Sequence, residues 1–294
     1  MKRRSFIGYG LLLVSGCTAA TTTPEVSSSL KRPTQLRFAV TDISGLDELK
    51  QNYETFRTAL EEITQIPVSF YPVPNYSAAA PALLANDLDL AFAGPSEYLL
   101  LRARAQAEPL VRITRQNYHS IIMARTDSGI KSLSDLKGKT IAMRTEGSTA
   151  GHIFPMKLLM DAGLNPDSDF KIKMLNRDAF EALIAGEVDA WSDSYDRYVE
   201  FIEKPGLADK EITVIAEGDS LPGDVFVANP SLGNGFISEL RSLMLTHQDA
   251  LLGAIAAPEA NAKYRQSTIA AAQDSDYDTM RGIYSAIGLE SAIQ

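Results

Sequence analysis

The chain has 294 residues, of which 45% are hydrophobic and 22% are charged, and it contains one cysteine. These proportions indicate a globular protein that is large enough for two domains, and a single cysteine excludes an internal disulfide. The formal net charge of −9 argues against a nucleic-acid-binding protein, which needs a basic face. It does not exclude a small anionic ligand, because the groups that line a buried site govern binding there.

The first residues, MKRRSFIGYGLLLVSGCTAA, predict an exported lipoprotein. A basic start precedes an apolar run that is too short to cross a bilayer, which is typical of a signal peptide and assigns one to residues 1–16. The run ends in Val-Ser-Gly-Cys, which resembles the bacterial lipobox and implies cleavage before Cys17 and acylation of that cysteine. An ordinary signal peptide with an incidental cysteine is the alternative, and both Sec and twin-arginine export stay open.

The next segment predicts a tether. Residues 17–35 are rich in Thr, Ser and Pro and have few apolar side chains, so we expect a flexible, lipid-anchored linker. The mature protein would then be anchored to a membrane and face the periplasm, or the outer cell surface in a single-membrane bacterium.

From residue 36 onward, segments typical of strands and helices alternate. Apolar residues recur at helical spacing across 46–65, whereas 36–41 has the composition of a buried strand. Strands are expected at 36–41, 67–73, 88–94, 110–114 and 118–125, and helices at 46–65, 75–87 and 95–107. This order predicts a parallel sheet between layers of helices.

The alternation then repeats with new elements. Strands are expected at 140–144, 170–175, 188–193 and 212–218, and helices within 147–164, 178–187 and 194–203 and near 234–256 and 277–288. We therefore predict an α/β protein of two lobes, each a sheet flanked by helices, with 36–122 and 220–294 in lobe 1 and 123–219 in lobe 2. Two such lobes in an exported protein suggest a receptor that holds its ligand in the cleft and closes about a hinge.

The segment GSTAG at 147–151 lies where a strand gives way to a helix. One interpretation is structural, because Ser and Thr cap helices and Gly forms tight turns. The other is an anion site, in which a helix N-terminus offers free N–H groups beside two hydroxyls. Ligands of open α/β sheets lie at the carboxyl ends of strands, and this position favours the anion site.

Four segments resemble one protein family: NYSAAAPALLANDLDLAFAGPSEY, YHSIIMARTDSGIKSLSDLKGKTIAM, GSTAGHIFP and AGEVDAWSDSYDRY. From Leu36 onward the chain is similar to the phosphate/phosphite/phosphonate-binding periplasmic proteins that feed ABC importers. The resemblance implies a two-lobed periplasmic-binding-protein fold, type II-like, with the ligand in the inter-lobe cleft.

The resemblance also implies a role for each matching residue. The Ser148 and Thr149 hydroxyls and the N–H groups of Thr149, Ala150 and Gly151 would bind the phosphorus oxyanion. Asp193 would accept a P–OH hydrogen or pair with a ligand ammonium, because a carboxylate repels an anion unless a proton lies between them. The other implied ligand-binding residues are Tyr118, Tyr76, Ser96, Tyr195 and Asn176.

Two positions depart from the family pattern. Ala150 replaces a serine that is often found in the anion loop, so one hydroxyl is missing. The histidine that family members often carry before the Val-Asp-Ala run falls here on Asn176 or Arg177, and His152 or His119 are alternatives for its role.

Structural interpretations stay open beside the functional ones. Tyr118 alternates with apolar residues along a predicted strand and is a candidate for the core. Trp191 lies within a predicted strand, where a core role and stacking on a ligand are both open, and Asp193 is a candidate helix cap. Arg144 and Glu146 flank the loop, and we expect them to form a surface ion pair.

The predicted function is that of a non-enzymatic receptor, because the sequence has no paired-His metal signature and no clear nucleophile-and-base set. It would capture phosphite, a phosphonate or phosphate, and deliver it to an ABC permease and its ATPase. We expect a monomer that needs no cofactor or metal and binds no nucleic acid. A receptor of the same fold for another organic anion such as a sulfonate, and a sensory ligand-binding protein, are the alternatives.

Overall fold

A computed structural model of the protein describes residues 32–202 and 212–294. The predicted signal peptide, Cys17 and most of the predicted tether lie outside the described residues. Within them, no helix has the length and apolar character needed to cross a membrane.

The described residues form two sheets with helices packed around them. The strands are β1 (Leu36–Val40), β2 (Val68–Phe70), β3 (Leu90–Ala93), β4 (Glu108–Ile113), β5 (His119–Arg125), β6 (Thr140–Met143), β7 (Lys171–Met174), β8 (Ala190–Ser194), β9 (Ile212–Ser220), β10 (Asp224–Ala228) and β11 (Ile269–Ala271). The helices are α1 (Leu46–Thr64), α2 (Ala79–Leu84), α3 (Pro95–Ala105), α4 (Phe154–Asp161), α5 (Ala179–Ile184), α6 (Tyr195–Ile202), α7 (Asn234–Thr246), α8 (Gln248–Ala256) and α9 (Asp278–Ala286).

The first sheet has the strand order β11-β4-β10-β3-β1-β2. Strand β1 runs parallel to β2 and β3, with Val40 opposite Phe92. Strand β10 runs antiparallel between β3 and β4, with Phe226 opposite Phe92, and β11 is antiparallel to β4. The expectation of a parallel sheet is confirmed for β2, β1 and β3 but is wrong for the sheet as a whole, because β10 enters it from the second lobe and runs in the opposite direction.

The second sheet has the order β7-β6-β8-β5-β9. Strand β6 is parallel to β7 and β8, whereas β5 is antiparallel to β8 and β9. Both sheets are thus mixed, and each contains one strand that the chain reaches by crossing from the other lobe.

The chain crosses between the lobes twice, over residues 114–118 and 221–223. The predicted boundary after residue 122 differs from this, since it would divide β5, which pairs only within the second sheet. The two crossings touch: a Cβ atom at Gly223 would lie 1.9 Å from the carbonyl oxygen of Ile113. Glycine is required at this point because any side chain would collide with backbone.

Apolar side chains fill both faces of the first sheet. On one face Phe92 and Phe226 stack with ring centroids 4.3 Å apart, under α1, α7 and α8. On the other face, residues of α2, α3 and α9 form a cluster that includes Ala150, Ile153 and Phe154 of the second lobe. The lobes therefore share an apolar contact beside the cleft.

Trp191 lies in the core of the second lobe. It is 1% exposed, and its ring packs edge-on against Phe180 and Phe201 at 5.3 and 5.4 Å. Its packing therefore supports a role for Trp191 in the core.

The C-terminal third covers the first lobe. The helix expected near 234–256 is divided into α7 and α8 at His247. Strand β11 was not expected, because its three residues lie in an Ala-rich stretch that favours helix; pairing with β4 determines its conformation.

Candidate functional site

The loop GSTAG follows β6 and leads into α4 through one turn of π-helix, Thr149–Ile153. The N–H groups of His152 and Ile153 donate to the carbonyl oxygen of Ser148 at 3.0 and 2.9 Å. Helix geometry gives the earlier N–H groups, those of Thr149, Ala150 and Gly151, no acceptor within the helix. These three groups are thus available to an anion at the positive end of the helix dipole.

Two serines hold this turn against the second sheet. The hydroxyl of Ser120 donates to the carbonyl oxygen of Ala150 at 2.7 Å, and the hydroxyl of Ser192 donates to that of Gly151 at 3.1 Å. Both serines are fully buried. Because the carbonyl oxygens are fixed to β5 and β8, the orientation of the peptide groups is set before any ligand arrives.

The two glycines of the loop serve different purposes. Gly147 has φ of +91°, a conformation that L side chains rarely adopt. Gly151 does not need such a conformation, but a Cβ atom there would lie 2.6 Å from Cγ of Arg144. Gly147 therefore makes the turn, and Gly151 lets the Arg144 side chain pass the loop.

His152 supports the loop from within. Its Nδ1 accepts a hydrogen bond from the N–H of Gly147 at 3.0 Å, and the side chain is buried. Burial lowers the pKa of His152, with Glu146 opposing the shift, so the imidazole is neutral. His152 is not among the residues that line the cavity described next, and its hydrogen bond assigns it to the loop's internal structure.

A cavity of about 390 Å³ opens between the lobes at this loop. Six of the residues singled out from the sequence line it: Tyr76, Tyr118, Ser148, Thr149, Ala150 and Asp193. Tyr76 and Tyr118 are 6% and 5% exposed and Asp193 is 2% exposed, so these three side chains are largely shielded from solvent.

The other four predicted site residues lie around the cavity rather than on its wall. Ser96 is fully buried and reaches the loop through its backbone N–H, while Gly151 supplies the carbonyl bonded by Ser192. Tyr195 stacks on His119 with centroids 4.9 Å apart. Asn176, at φ +49°, accepts a hydrogen bond from Arg144 Nη2 at 3.4 Å and so supports a residue that does line the cavity.

Arg144 is the main site residue that sequence reasoning missed. It lines the cavity and is 8% exposed, and its guanidinium lies 3.8 Å from the Asp193 carboxylate. The expectation of a surface ion pair with Glu146 is therefore wrong. Burial opposes the charge, but the Asp193 carboxylate raises the pKa of Arg144, so the guanidinium stays charged. Its Nε is buried without a hydrogen-bond partner among the described residues.

The rest of the cavity wall carries charges of both signs. Arg177, one of the two candidates for the family histidine, lines it and also pairs with Glu48 of the first lobe at 2.5 Å. Asp42 is exposed but lines the cavity, where partial desolvation opposes ionisation; Lys263 and then Arg144 nevertheless lower the pKa of its carboxyl group. The other charged residues on the wall are Glu97, Arg115, Asp196, Arg197, Glu200, Asp224, Glu259, Lys263 and Arg265.

Arg115 joins the lobes beside the first crossing. It pairs with Asp196 of α6 and lies 3.5 Å from Asp224 of β10, and its Cζ sits 3.6 Å from the centre of the Tyr118 ring. Burial opposes the charge, yet Asp196 and Asp224 raise the pKa of Arg115. The hinge region therefore contains a buried ion network that touches both lobes.

Two α/β lobes joined by two crossings, with a polar cavity between them, define a hinged ligand-binding protein. Residues 38–277 match the family model described as "ABC transporter, phosphonate, periplasmic substrate-binding protein". The chain belongs to this family. It is thus a periplasmic substrate-binding component of an ABC transporter, and the predicted family and fold class are confirmed.

Similar proteins agree with this assignment. The chain is 27% identical to the phosphate-import protein PhnD of Mycolicibacterium smegmatis over 257 residues, which are 81% of this chain and 79% of that protein. It shares its fold with PhnD1 of Prochlorococcus marinus in complex with methylphosphonate, at a TM-score of 0.72 and 18% identity over 88% of this chain and 100% of the other. A binding-protein component of an ABC phosphonate transporter from Pseudomonas aeruginosa has a TM-score of 0.72 at 19% identity, with 90% of each chain covered.

Proposed function

We propose that this protein captures a small phosphorus oxyanion, such as phosphite, a phosphonate or phosphate, in the inter-lobe cavity and delivers it to an ABC permease and its ATPase. The observation that carries the proposal is the turn at Thr149–Ile153. Its three free N–H groups and the Ser148 and Thr149 side chains adjoin an inter-lobe cavity that is also lined by Arg144. This combination of aligned donors and a buried cation suits a compact anion with several oxygens.

The two phenols extend the donor set. Burial raises the pKa of Tyr76 and of Tyr118, so both hydroxyls stay protonated and are able to donate to ligand oxygens. Tyr76 comes from the first lobe and the GSTAG loop from the second. A ligand held by both would stabilise the closed arrangement, which the permease would recognise.

Asp193 supplies an acceptor in the same cavity. Its carboxylate accepts a hydrogen bond from the N–H of Ser194 at 2.8 Å and lies 3.8 Å from both Arg144 and Arg197. In the proposed complex it accepts a hydrogen from a P–OH group or pairs with a ligand ammonium. Which of these occurs depends on the fourth substituent of phosphorus.

The relatives support a phosphorus ligand over a sulfonate. One is named for phosphate import, and the solved structure of another holds methylphosphonate. We further propose that the protein is a monomeric lipoprotein, acylated at Cys17 after removal of residues 1–16, and that it functions as a receptor without catalysing a reaction.

Calorimetric titration of the purified protein tests the proposal. The ligands are phosphate, phosphite, methylphosphonate, 2-aminoethylphosphonate and, as the alternative class, methanesulfonate. We expect tight binding of at least one phosphorus compound, lost in Ser148→Ala/Thr149→Val. Ser238→Ala/Thr279→Val is the matched control, because both positions are exposed on helices outside the cavity. Binding of methanesulfonate alone, or no binding by the folded protein, would contradict the proposal.

A further inference from the structure

Glu97 brings a carboxyl group to the anion loop from the opposite lobe. It lies in the first turn of α3, is 4% exposed and lines the cavity. Its Oε2 accepts a hydrogen bond of 3.3 Å from the Thr149 hydroxyl. The carboxyl group folds back over Gly94, where a Cβ atom would lie 2.6 Å from Oε2, so the glycine makes room for it.

This carboxyl group has no cationic partner. Among the described residues, no basic nitrogen lies within 4.0 Å of it, although four other acidic residues of the cavity pair with arginines: Asp193, Asp196, Asp224 and Glu259. A buried carboxylate without a cation is strongly unfavourable, and such a group normally binds a proton instead.

The groups that face Glu97 from neighbouring elements are mostly acidic or neutral. Asp42 follows β1 and Asp224 begins β10, and both repel a negative charge at Glu97. The phenols of Tyr284, Tyr76 and Tyr118 also lie near it. Burial, assisted by Asp42 and Asp224, raises the pKa of Glu97 to about 8, while its own N–H and the Thr149 hydroxyl oppose the shift.

From this geometry we propose that Glu97 is a ligand-binding residue and that it shares one proton with the bound oxyanion. The inference rests on the proposed function of the cavity. In the complex the proton lies between a carboxyl oxygen and a ligand oxygen, so that the two negative groups do not repel each other. When the free protein has lost this proton, binding takes one proton from solvent, and affinity falls as pH rises.

A role limited to capping α3 is the competing explanation. A first-turn glutamate stabilises a helix through its negative charge and its hydrogen bonds to the free N–H groups. That role predicts no coupling between the ligand and a proton. The pH dependence of binding therefore separates the two explanations.

The first experiment measures methylphosphonate affinity by calorimetry from pH 6 to 9.5 for the unaltered protein and Glu97→Gln. Glutamine imitates the protonated carboxyl group, and the ligand's own ionisation affects both proteins alike. We expect similar affinities at pH 6–7 and a loss of about tenfold in the unaltered protein, relative to Glu97→Gln, by pH 9.5. Glu181→Gln is the matched control, since Glu181 occupies the first turn of α5 but is exposed.

A ratio of affinities that stays within twofold over the whole range would overturn the role of Glu97 and leave the proposed function intact. Absence of methylphosphonate, phosphite and phosphate binding at every pH would overturn both.

A second measurement does not depend on whether Glu97→Gln folds. Binding enthalpies at pH 9, in buffers of different ionisation enthalpy, report the protons taken up per complex. We expect an uptake approaching one proton that persists in Asp193→Asn, because Asp193 already lies near two arginines. No uptake in the unaltered protein, or an uptake abolished by Asp193→Asn, would contradict the proposal.

Discussion

The backbone N–H of Ser96 donates a 3.0 Å hydrogen bond to Oγ1 of Thr149, and this bond joins the two lobes at the edge of the cavity. Ser96 lies in the first turn of α3 in the first lobe, and Thr149 begins the π-helical turn of the second. The residue that offers an N–H group to the ligand is thus also a contact between the lobes. Closure of the cleft and assembly of the anion site are consequently coupled in the structure.

Replacing Thr149 tests this coupling. Thr149→Val removes the acceptor of the buried Ser96 N–H and the donor to Glu97, whereas Thr149→Ser retains the hydroxyl. A buried donor left without a partner costs on the order of 1–3 kcal/mol, so we expect Thr149→Val to weaken ligand affinity about ten- to hundredfold. Thr149→Ser should remain within a few-fold of the unaltered protein in the same titration. Equal affinities for the Val and Ser variants would show that the inter-lobe bond does not contribute to binding.

The buried charge of Arg144 is expected to contribute to affinity. In Arg144→Met the cavity loses the cation beside the loop, and Asp193 keeps Arg197, also at 3.8 Å, as its remaining cationic neighbour. Hydrogen bonds to charged groups contribute about 1.5–3 kcal/mol each, so the dissociation constant should rise at least tenfold. Arg104→Met is the matched control, because Arg104 is exposed on α3 and does not line the cavity. An unchanged dissociation constant in Arg144→Met would show that Arg144 does not contribute to ligand binding.

Alanine at the glycines of the loop should have separable effects. In Gly151→Ala the new methyl group meets the Arg144 side chain, which must move, so we expect a loss of affinity that exceeds any loss of stability. In Gly147→Ala the methyl group has space, but φ of +91° is strained for alanine, so thermal stability should fall by roughly 1 kcal/mol or more. Calorimetric binding and thermal unfolding distinguish the two effects.

Gly253→Ala provides the control for these variants. Gly253 lies within α8, has no neighbouring atom within 4 Å of its Cβ position, and should accept alanine with a gain of about 0.5–1 kcal/mol. If Gly151→Ala bound ligand as well as Gly253→Ala, the close approach of Arg144 would not matter to the site.

The ion network at the hinge predicts sensitivity to acid. Burial opposes ionisation of Asp196, but Arg115 and Lys263 lower the pKa of its carboxyl group below the usual value. A carboxyl group whose pKa is lower in the folded state stabilises that state above the unfolded pKa of about 3.9, and this stabilisation is lost as pH falls toward the folded pKa. Thermal unfolding from pH 7 to pH 2.5 should therefore show a steep loss of stability in the unaltered protein below about pH 4.

The Asp196→Asn variant identifies the source of that loss. It should be less stable at pH 7, because Arg115 remains buried with one acidic partner fewer, and its stability should change less below pH 4. If the stability of the two proteins fell in parallel with pH, groups other than Asp196 would be responsible for the acid sensitivity.

Local patterns made much of the fold predictable. Hydrophobic periodicity locates α1, where Leu49, Tyr53, Phe56 and Leu60 are all buried, because amphipathic spacing is a property of neighbouring residues. Neighbouring residues also determine that GSTAG lies between β6 and a helix, and that the first N–H groups of this helix have no acceptor within it. Strand direction is not local: β5 and β10 run antiparallel to their neighbours because of where the chain crosses between lobes.

The cavity wall was harder to predict, because its charged residues come from separated segments. Asp42, Arg144 and Lys263 influence one another only through the packing of both lobes. One signal for Arg144 was present in the sequence. The loop has a second glycine, Gly151, and glycine is also used where another group approaches the backbone closely. In the structure that group is the Arg144 side chain.

The crystal structure of the protein with its tightest-binding phosphorus oxyanion tests the central claim most directly. We predict that ligand oxygens lie 2.7–3.2 Å from the backbone nitrogens of Thr149, Ala150 and Gly151, the normal range for N–H···O hydrogen bonds. The same complex should show one ligand oxygen near the Glu97 carboxyl group. A ligand bound elsewhere in the cavity, with those three nitrogens bonded to water or protein, would contradict the assignment of GSTAG as the anion site.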